Sequence, residues 1–387
     1  MQAPLAGLVA NIQSIVFFLI PIMYVIQNPT FQRYDEIESG VKLYHLFAVG
    51  LFLISAYRAS LKAVVLFLLF TSTAISATFL NETAEVNTRF LNAGGFAMMF
   101  LGAAGAGAID RRYARRGAMV AAMLLGVTTL WQLPTIISTA ATNIEGRALY
   151  PTLMAGGINI QASTFAILYV WAVGGNLIST AGAVLVAFML TQTRSIFLVF
   201  PAIFADRLGR KDNRRNFVRN LIAFVAFGIM LAAMLYLNII DVSKLVNRIY
   251  AIFSGDAGTE GRFLLYQVAI SHSECFLSGC GFGSAAELIS QSNYFSLFED
   301  NFHNIYVQTL VEMGVFGVVT YGYLLISSYR WARSRLKDKG LAIAILTTSI
   351  MGLVEFNGLE FLSAFLMGLG FSRVAHASDH YRLRKSR

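Results

Sequence analysis

Long apolar runs separated by short polar segments dominate the chain. Each run is of the kind that crosses a bilayer as a helix, since about 20 residues span a hydrocarbon core of about 30 Å. The pattern predicts an all-α polytopic integral membrane protein with about 12 transmembrane helices, residues 1–387 forming a single transmembrane domain. The predicted crossings are 8–26, 43–57, 63–80, 92–109, 118–137, 161–173, 177–190, 195–205, 221–240, 305–329, 341–356 and 361–375.

The composition supports this interpretation. Hydrophobic residues make up 56% of the 387 residues and charged residues 13%, and the mean hydropathy is +0.62. A core in water needs far fewer apolar residues, so a soluble globular domain is excluded. The first run, 8–26, has no basic segment before it and is long enough to span, so we expect a retained helix rather than a cleaved signal peptide.

The net charge of +9 is unevenly distributed between the two predicted sides. With the N-terminus in the cytoplasm, the cytoplasmic side receives 22 of the 30 lysines and arginines and only 5 of the 21 acidic residues. That side carries +17 and the other −8. The positive-inside rule accounts for this asymmetry without a nucleic-acid partner. We therefore expect both termini in the cytoplasm.

Short crossings are predicted in the middle of the chain. Residues 138–160 should lie outside and 206–219 inside, so an odd number of crossings must fit between them. Three short helices satisfy this, with turns at 174–176 and 191–194. Such short elements persist where they pack within protein or line a wet cavity. Arg194 then lies at a sunken apex open to the outer side, either as a functional arginine or as a snorkelling anchor.

The largest polar segment is the outer loop 241–304, which we predict to carry short amphipathic helices and no core of its own. In residues 261–272 the apolar side chains Phe263, Val268 and Ile270 suit a helix lying on the bilayer surface. Arg262 heads this helix beside two glycines. Helix N-terminal amides and a guanidinium together form a phosphate site; alternatively, Arg262 pairs with a neighbouring acid.

Two further features of the loop leave alternatives open. Cys275 and Cys280 can form a disulfide in an oxidising exterior, or remain as two buried thiols; a zinc pair with His272 is the weaker hypothesis. The glycine-rich turn 279–283 follows no strand, so it does not indicate a dinucleotide fold. We expect it to let the backbone approach a helix end or the substrate.

His303 lies where this loop re-enters an apolar run. A histidine there can take a proton near neutral pH. Glu299 and Asp300 precede it and could orient the imidazole or bind a cation, but one contiguous cluster is a poor metal site, and we expect no metal. Glu312 follows within the apolar run. Two further glutamates, Glu355 and Glu360, lie near the next crossing. Each of these three carboxylates could pair with Arg194 or Arg147, or bind an acceptor sugar.

His303-Asn304, nine residues and then Gly314-Val-Phe-Gly317 resembles the outer-loop motif of the O-antigen ligase and polymerase superfamily. The TQTRS segment at Arg194, the GTEGR segment at Arg262 and the SGCGFG turn fit as well. The resemblance covers residues 161–330 and favours the lipopolysaccharide O-antigen ligases. Phe302 departs from it, since many ligases carry a polar residue or a second histidine nearby, and this leaves the polymerases as an alternative.

The resemblance implies a GT-C-like helical fold in the bacterial inner membrane, with the site facing the periplasm. It also implies metal-independent transfer of a glycan from undecaprenyl diphosphate to lipid A-core, with no cofactor. His303 would act as general base and Arg194 and Arg262 would bind the donor diphosphate. Further substrate contacts are expected from Arg147, Glu299, Asp300 and Asn304. A lipid-linked glycan flippase is the least favoured alternative, because the sequence has no internal repeat.

Overall fold

The computed structural model describes residues 2–27, 43–80, 86–131, 153–154, 157–191, 193, 195–208, 257–292, 301–354 and 361–373. The regular structure in these residues is helical. The α-helices are α1 (Gln2–Val25), α2 (Leu43–Ser55), α3 (Leu61–Leu80), α4 (Val86–Ala104), α5 (Ala108–Trp131), α6 (Gly157–Ala172), α7 (Leu177–Thr191), α8 (Val199–Leu208), α9 (Ala257–Ser271), α10 (Cys275–Ser278), α11 (Ala285–Gln291), α12 (Ile305–Ser334), α13 (Lys339–Met351) and α14 (Phe361–Gly370).

Eleven of the twelve predicted crossings coincide with helices, and the twelfth, 221–240, lies outside the described residues. Among the described helices, Leu61–Phe79 and Ile305–Ser334 are long and apolar enough to cross a membrane by length and composition. Large apolar side chains also face outward: Leu53 is 71% exposed and Trp131 84% exposed. Outward apolar surface of this kind is typical of contact with lipid. The all-helical class is thus confirmed, while the number of crossings and the GT-C-like arrangement stay predictions.

The core of the bundle is aromatic where its helices meet. Phe365 of α14 lies 6.1 Å from Phe17 of α1 and 6.3 Å from Trp171 of α6, measured between ring centroids. All three side chains are fully buried. Because rings at these separations pack edge to face or tilted, they hold three helices from distant parts of the chain together.

Helix α13 links two opposite ends of the bundle. Gly340 at its start lies against the carbonyl oxygen of Trp171. This contact is next to the predicted turn, in which Gly174 and Gly175 both have a φ of 68°. At its other end the carbonyl oxygen of Gly352 accepts a hydrogen bond of 2.8 Å from the amide of Ile305. The helix has 13 residues, which corresponds to a length of about 20 Å. The positive φ values of the two glycines confirm the predicted turn at 174–176. This turn and the segment at His303 lie at opposite ends of α13, about the length of that helix apart.

Arginines from separate segments of the chain converge at the end of the bundle that holds Gly174, which we call the basic end. Arg115 donates to the carbonyl oxygen of Ala172 at 2.9 Å. One turn earlier, Arg111 donates to the carbonyl oxygen of Arg373 at 2.6 Å, and Arg373 donates to that of Arg58 at 2.9 Å. Residues that the charge pattern assigns to the cytoplasm thus share one end, away from His303. This grouping supports the predicted sorting of the loops.

The outer loop packs into a small apolar cluster that it shares with α12. Leu265 and Val268 of α9 are each 1% exposed and pack with buried residues of α10 and α11. The cluster also includes Phe302 and Val311 of the adjoining segment, so the loop packs onto α12 rather than standing alone. Phe263 is 62% exposed, as expected for a surface-lying face. Val268 faces inward because α9 has a second apolar face, which it shares with Leu265.

Candidate functional site

Helix α12 is broken at Gly314, within the motif that singles out this region of the sequence. Gly314 has φ 70° and ψ −173°, so Ile305–Met313 and Val315–Ser334 are two helical segments that meet at a kink. A positive φ with an extended ψ is accessible essentially to glycine alone. An added Cβ would also collide with the carbonyl oxygen of Leu277. The first glycine of the motif is therefore required by the backbone and by its neighbour.

The glycine-rich turn of the outer loop fills this break. The amides of Cys280 and Gly281 donate hydrogen bonds of 2.8 Å and 3.1 Å to the carbonyl oxygens of Val311 and Glu312. A kink leaves such carbonyls without their partners in the helix, so the turn acts as a cap supplied from elsewhere in the chain. The expectation that this turn lets the backbone approach a helix end is confirmed.

A disulfide closes the same turn. Cys275 and Cys280 are bonded, with their Cα atoms 5.0 Å apart. Of the alternatives drawn from the sequence, the disulfide is the one found, and the pair of free thiols is not. The bond joins α10 to the residue that caps Val311, and Cys275 itself is buried in the loop core. The loop and the helix break are thus fastened to each other covalently and by backbone hydrogen bonds.

His303 lies two residues before the start of α12 and has an unusual backbone conformation. Its φ is 48°, a left-handed value that is uncommon for residues other than glycine. Its amide donates a hydrogen bond of 2.9 Å to the side-chain oxygen of Asn301. The preceding Phe302 is completely buried, while His303 is half-buried. The histidine is therefore held by anchored neighbours and is partly accessible.

Asn304 has a structural task in this arrangement. Its side-chain oxygen accepts hydrogen bonds from the amides of Tyr306 and Val307 at 3.0 Å and 3.2 Å, which makes it the N-cap of α12. The Tyr306 hydroxyl in turn donates to the carbonyl oxygen of Ser349 at 2.9 Å. The His-Asn pair of the motif thus places the histidine directly before a capped helix start that is tied to α13.

Two buried polar residues beneath His303 carry contacts that sequence reasoning missed. Gln308 is 4% exposed and Glu312 is 2% exposed. The Gln308 side chain accepts from the Phe302 amide at 3.0 Å and donates to the Glu312 carboxylate. Their spacing of four residues within an apolar run was the available signal, because it places both on one helix face. The sequence identified Glu312 but not its partner.

The surroundings of Arg194 are well defined on both sides of it. The Thr193 hydroxyl donates to the side-chain oxygen of Asn159 at 3.0 Å, and Ser195 shares a 3.0 Å hydrogen bond with Ser163. The turn between α7 and the following short 3₁₀ helix, Ser195–Leu198, is therefore tethered to α6, as expected for a fixed turn. The following predicted residues lie outside the described part of the chain: Arg194, Arg147, Glu299, Asp300, Glu355 and Glu360.

Arg262 does not head its helix. Helix α9 begins at Ala257, so residue 262 lies in the second turn, and the amides at the helix start belong to residues that precede it. The prediction that the helix begins at Arg262 is therefore wrong, whereas the binding of a phosphate by its guanidinium stays a prediction. Gly258 and Gly261, expected beside the start of the helix, lie within it.

A mostly apolar cavity of about 270 Å³ lies between α5, α6 and α7. Besides Tyr169, its lining includes the polar side chains of Thr129, Gln161 and Thr191. Gln161 donates to Thr129 at 2.9 Å, and its own oxygen accepts from the amide of Leu153. Thr191 is the last residue of α7, three residues before Arg194. The cavity therefore reaches the start of the predicted turn 191–194, which contains Arg194.

In the described residues, the fold and site combine a helical bundle that has outward apolar side chains with an anchored histidine at the end opposite the basic end. A family model described as O-Antigen ligase matches residues 179–322. The match includes α7, the Arg194 turn, the described part of the outer loop and the segment from His303 to Gly317. The match covers less than half of the chain and supports the resemblance to the O-antigen ligase and polymerase superfamily, which the motif indicates. No curated protein matches the chain.

Proposed function

We propose that the protein is a glycosyltransferase that joins an O-antigen glycan to a sugar of lipid A-core at the periplasmic face of the bacterial inner membrane. The donor is the glycan linked to undecaprenyl diphosphate. The observation that carries the proposal is the presentation of His303, half-buried, between a buried phenylalanine and a helix N-cap. Its support is the O-antigen ligase match, which includes this segment.

His303 acts as the general base in this proposal. A neutral imidazole nitrogen accepts the proton of an acceptor hydroxyl while the hydroxyl oxygen attacks the anomeric carbon of the donor glycan. The bond from that carbon to the diphosphate oxygen breaks, and undecaprenyl diphosphate leaves with the bonding electrons. A single displacement inverts the anomeric centre. A positioned base contributes about 10² to 10⁴-fold to such a transfer.

Arg194 and Arg262 bind the leaving diphosphate. The guanidinium is always charged and donates two parallel hydrogen bonds to phosphate oxygens, so it suits a charge that develops during transfer. The tethers of Thr193 and Ser195 to α6 support a fixed Arg194 turn. We expect EDTA to leave the rate unchanged; a loss restored by Mg²⁺ would instead make Glu299 and Asp300 metal ligands.

The cavity between α5, α6 and α7 receives the first isoprene units of the donor. Its lining is mostly apolar and includes Thr191, which is close in sequence to the predicted diphosphate clamp. A polyprenyl chain needs an apolar channel that continues from the site of its headgroup. Arg147, Glu299, Asp300 and Asn304 are proposed to contact the sugars; since the Asn304 oxygen caps α12, only its amide nitrogen would serve there.

Deletion of the gene followed by complementation tests the proposal. Loss of the ligase leaves lipid A-core without O-antigen while polymeric lipid-linked glycan accumulates. Core that carries a single repeat unit instead identifies a polymerase of the same superfamily. Wild-type protein and the control His272→Ala should restore the lipopolysaccharide, because His272 lies outside the motif and pairs with Glu274 at 3.0 Å. His303→Ala should not restore it, and restoration by this variant would contradict the proposal.

A further inference from the structure

Helix α12 buries a carboxylate that the transfer reaction does not need. Glu312 is 2% exposed within an apolar helix. An ionisable group is costly in such a place and is retained mostly for a function. Gln308, one turn earlier and also buried, donates its amide N–H to this carboxylate. The pair therefore needs an explanation beyond packing.

The Gln308 side chain connects Glu312 to the residue that precedes His303. Its oxygen accepts a hydrogen bond of 3.0 Å from the amide of Phe302. The opposite assignment of the Gln308 amide would place N–H against N–H and oxygen against carboxylate. The Phe302 amide and the Glu312 carboxylate therefore require the same orientation of the Gln308 amide group. Glu312 holds the Gln308 side chain in place, and Gln308 in turn holds the Phe302 amide.

The backbone at His303 depends on such restraints. Its left-handed φ of 48° is disfavoured for a residue with a side chain and persists where neighbours impose it. The amide of His303 is held by Asn301 and that of Phe302 by Gln308. Without Gln308, the buried Phe302 amide loses this acceptor, and the loop can relax toward an ordinary backbone conformation that moves the imidazole.

Glu312 also belongs to the junction with the outer loop. Its carbonyl oxygen accepts the hydrogen bond from Gly281, in the turn closed by the disulfide. One residue therefore contacts the outer loop through its backbone and the His303 segment through its side chain and Gln308. Two hydrogen bonds in series, from Gln308 to Glu312 and from the Phe302 amide to Gln308, connect the kink to the residue that precedes His303.

We propose that Gln308 and Glu312 are positioning residues that hold His303 in the geometry required for proton abstraction. This inference rests on the proposed function of His303 as general base. Neither residue is required to touch the substrate. Their effect should appear in the rate of the chemical step rather than in donor binding, because the arginines that bind the donor lie on other elements.

The test uses the full-length protein in lipid nanodiscs with lipid-linked donor and lipid A-core acceptor. Gln308→Met keeps the side-chain length and removes the acceptor for Phe302. We expect kcat to fall on the order of 10²-fold, as for a small displacement of a catalytic group, with the donor KM unchanged. The matched control is Thr309→Val, since Thr309 is equally buried and bonds only back to Ile305 in the described contacts. This control should retain kcat.

An exchange of the two side chains provides a second, independent variant. Gln308→Glu places two carboxylates against each other and should lower kcat. Adding Glu312→Gln restores a donor at position 312 and keeps an acceptor at 308 for the Phe302 amide, so the double variant should recover most of the lost rate. If Gln308→Met does not fold, this pair decides the matter, and a double variant slower than Gln308→Glu would overturn the proposal.

The role of His303 as general base and the positioning role of Gln308 can be refuted separately. Transfer by His303→Ala at the wild-type rate removes the general base and the positioning proposal with it. An inactive His303→Ala together with wild-type kcat in Gln308→Met leaves the proposed function intact and contradicts positioning alone. A donor KM that rises in Gln308→Met while kcat holds also contradicts positioning, since it would mean that the residue binds the donor.

Discussion

The amide of Cys280 donates a hydrogen bond of 2.8 Å to the carbonyl oxygen of Val311, so a disulfide-closed turn in the outer loop caps a broken helix of membrane-spanning length. The break lies at Gly314, ten residues after the capped start of the same helix at Asn304. The segment Ile305–Met313 is thus fixed at both ends. It is a short, separate piece of helix that carries His303 at its entrance.

Replacement of Gly314 should damage this arrangement. Gly314→Ala introduces a Cβ at φ 70° and directly against the Leu277 carbonyl oxygen. A side chain in such a conformation costs about 1–3 kcal/mol before the collision is counted. We expect a lower midpoint of thermal unfolding in detergent and reduced transfer. Gly322→Ala is the control, because a Cβ there meets nothing within 4 Å; equal midpoints for both variants would contradict the assignment of the kink.

Removal of the disulfide should loosen the cap. Closing a loop of this length stabilises the folded state by about 2 kcal/mol in the chain-entropy description. Cys275→Ser with Cys280→Ser should therefore lower the unfolding midpoint and the transfer rate, and dithiothreitol should have the same effect on the wild-type protein. The double variant itself should not respond to dithiothreitol. Wild-type transfer under full reduction, verified by thiol titration, would show that the site does not depend on the bond.

The donor clamp predicts a loss of activity on conservative substitution. Lysine keeps the positive charge of Arg194 and Arg262 but cannot form two parallel hydrogen bonds with a phosphate. Each Arg→Lys variant should transfer glycan much more slowly while its level in the membrane holds. Arg116→Lys, an exposed arginine at the basic end, serves as the control. Near wild-type turnover in both clamp variants would remove the arginines from the mechanism.

Accessibility to a membrane-impermeant thiol reagent tests the orientation of the bundle. Ser290 in the outer loop and Ser334 at the end of α12 are both exposed. Ser290→Cys should be labelled in intact spheroplasts, whereas Ser334→Cys should be labelled only after lysis. Both variants are compared with the parent protein, whose native cysteines are bonded to each other. The reverse pattern would place the His303 end in the cytoplasm and exclude a periplasmic site.

The helices were predictable from the sequence because each is encoded locally by an apolar run. The kink in α12 was not, since a glycine within a helix reveals a break only when the turn that fills it is known. The burial of Leu265 and Val268 could not be predicted for a related reason: they are buried by residues far along the chain, and α9 has two apolar faces.

The part of the candidate site that side-chain chemistry alone identifies could be predicted from the sequence. His303 stood out as a titratable residue at the entrance to an apolar run. The capping task of Asn304 and the connection through Gln308 arise from three-dimensional contacts. The amide of residue 302 and the side chain of residue 308 meet only because the chain turns at His303, and no sequence spacing specifies that turn.

The rate of the chemical step in His303→Gln shows whether the imidazole of His303 is the general base. Glutamine can form a hydrogen bond but cannot act as a base at neutral pH, so it separates positioning of the acceptor from proton abstraction. With saturating donor and acceptor, the single-turnover rate should fall about 10² to 10⁴-fold, the contribution of a general base, while donor binding holds. His272→Gln should keep the wild-type rate. Transfer by His303→Gln at that rate would contradict the account and leave the imidazole as a positioning group only.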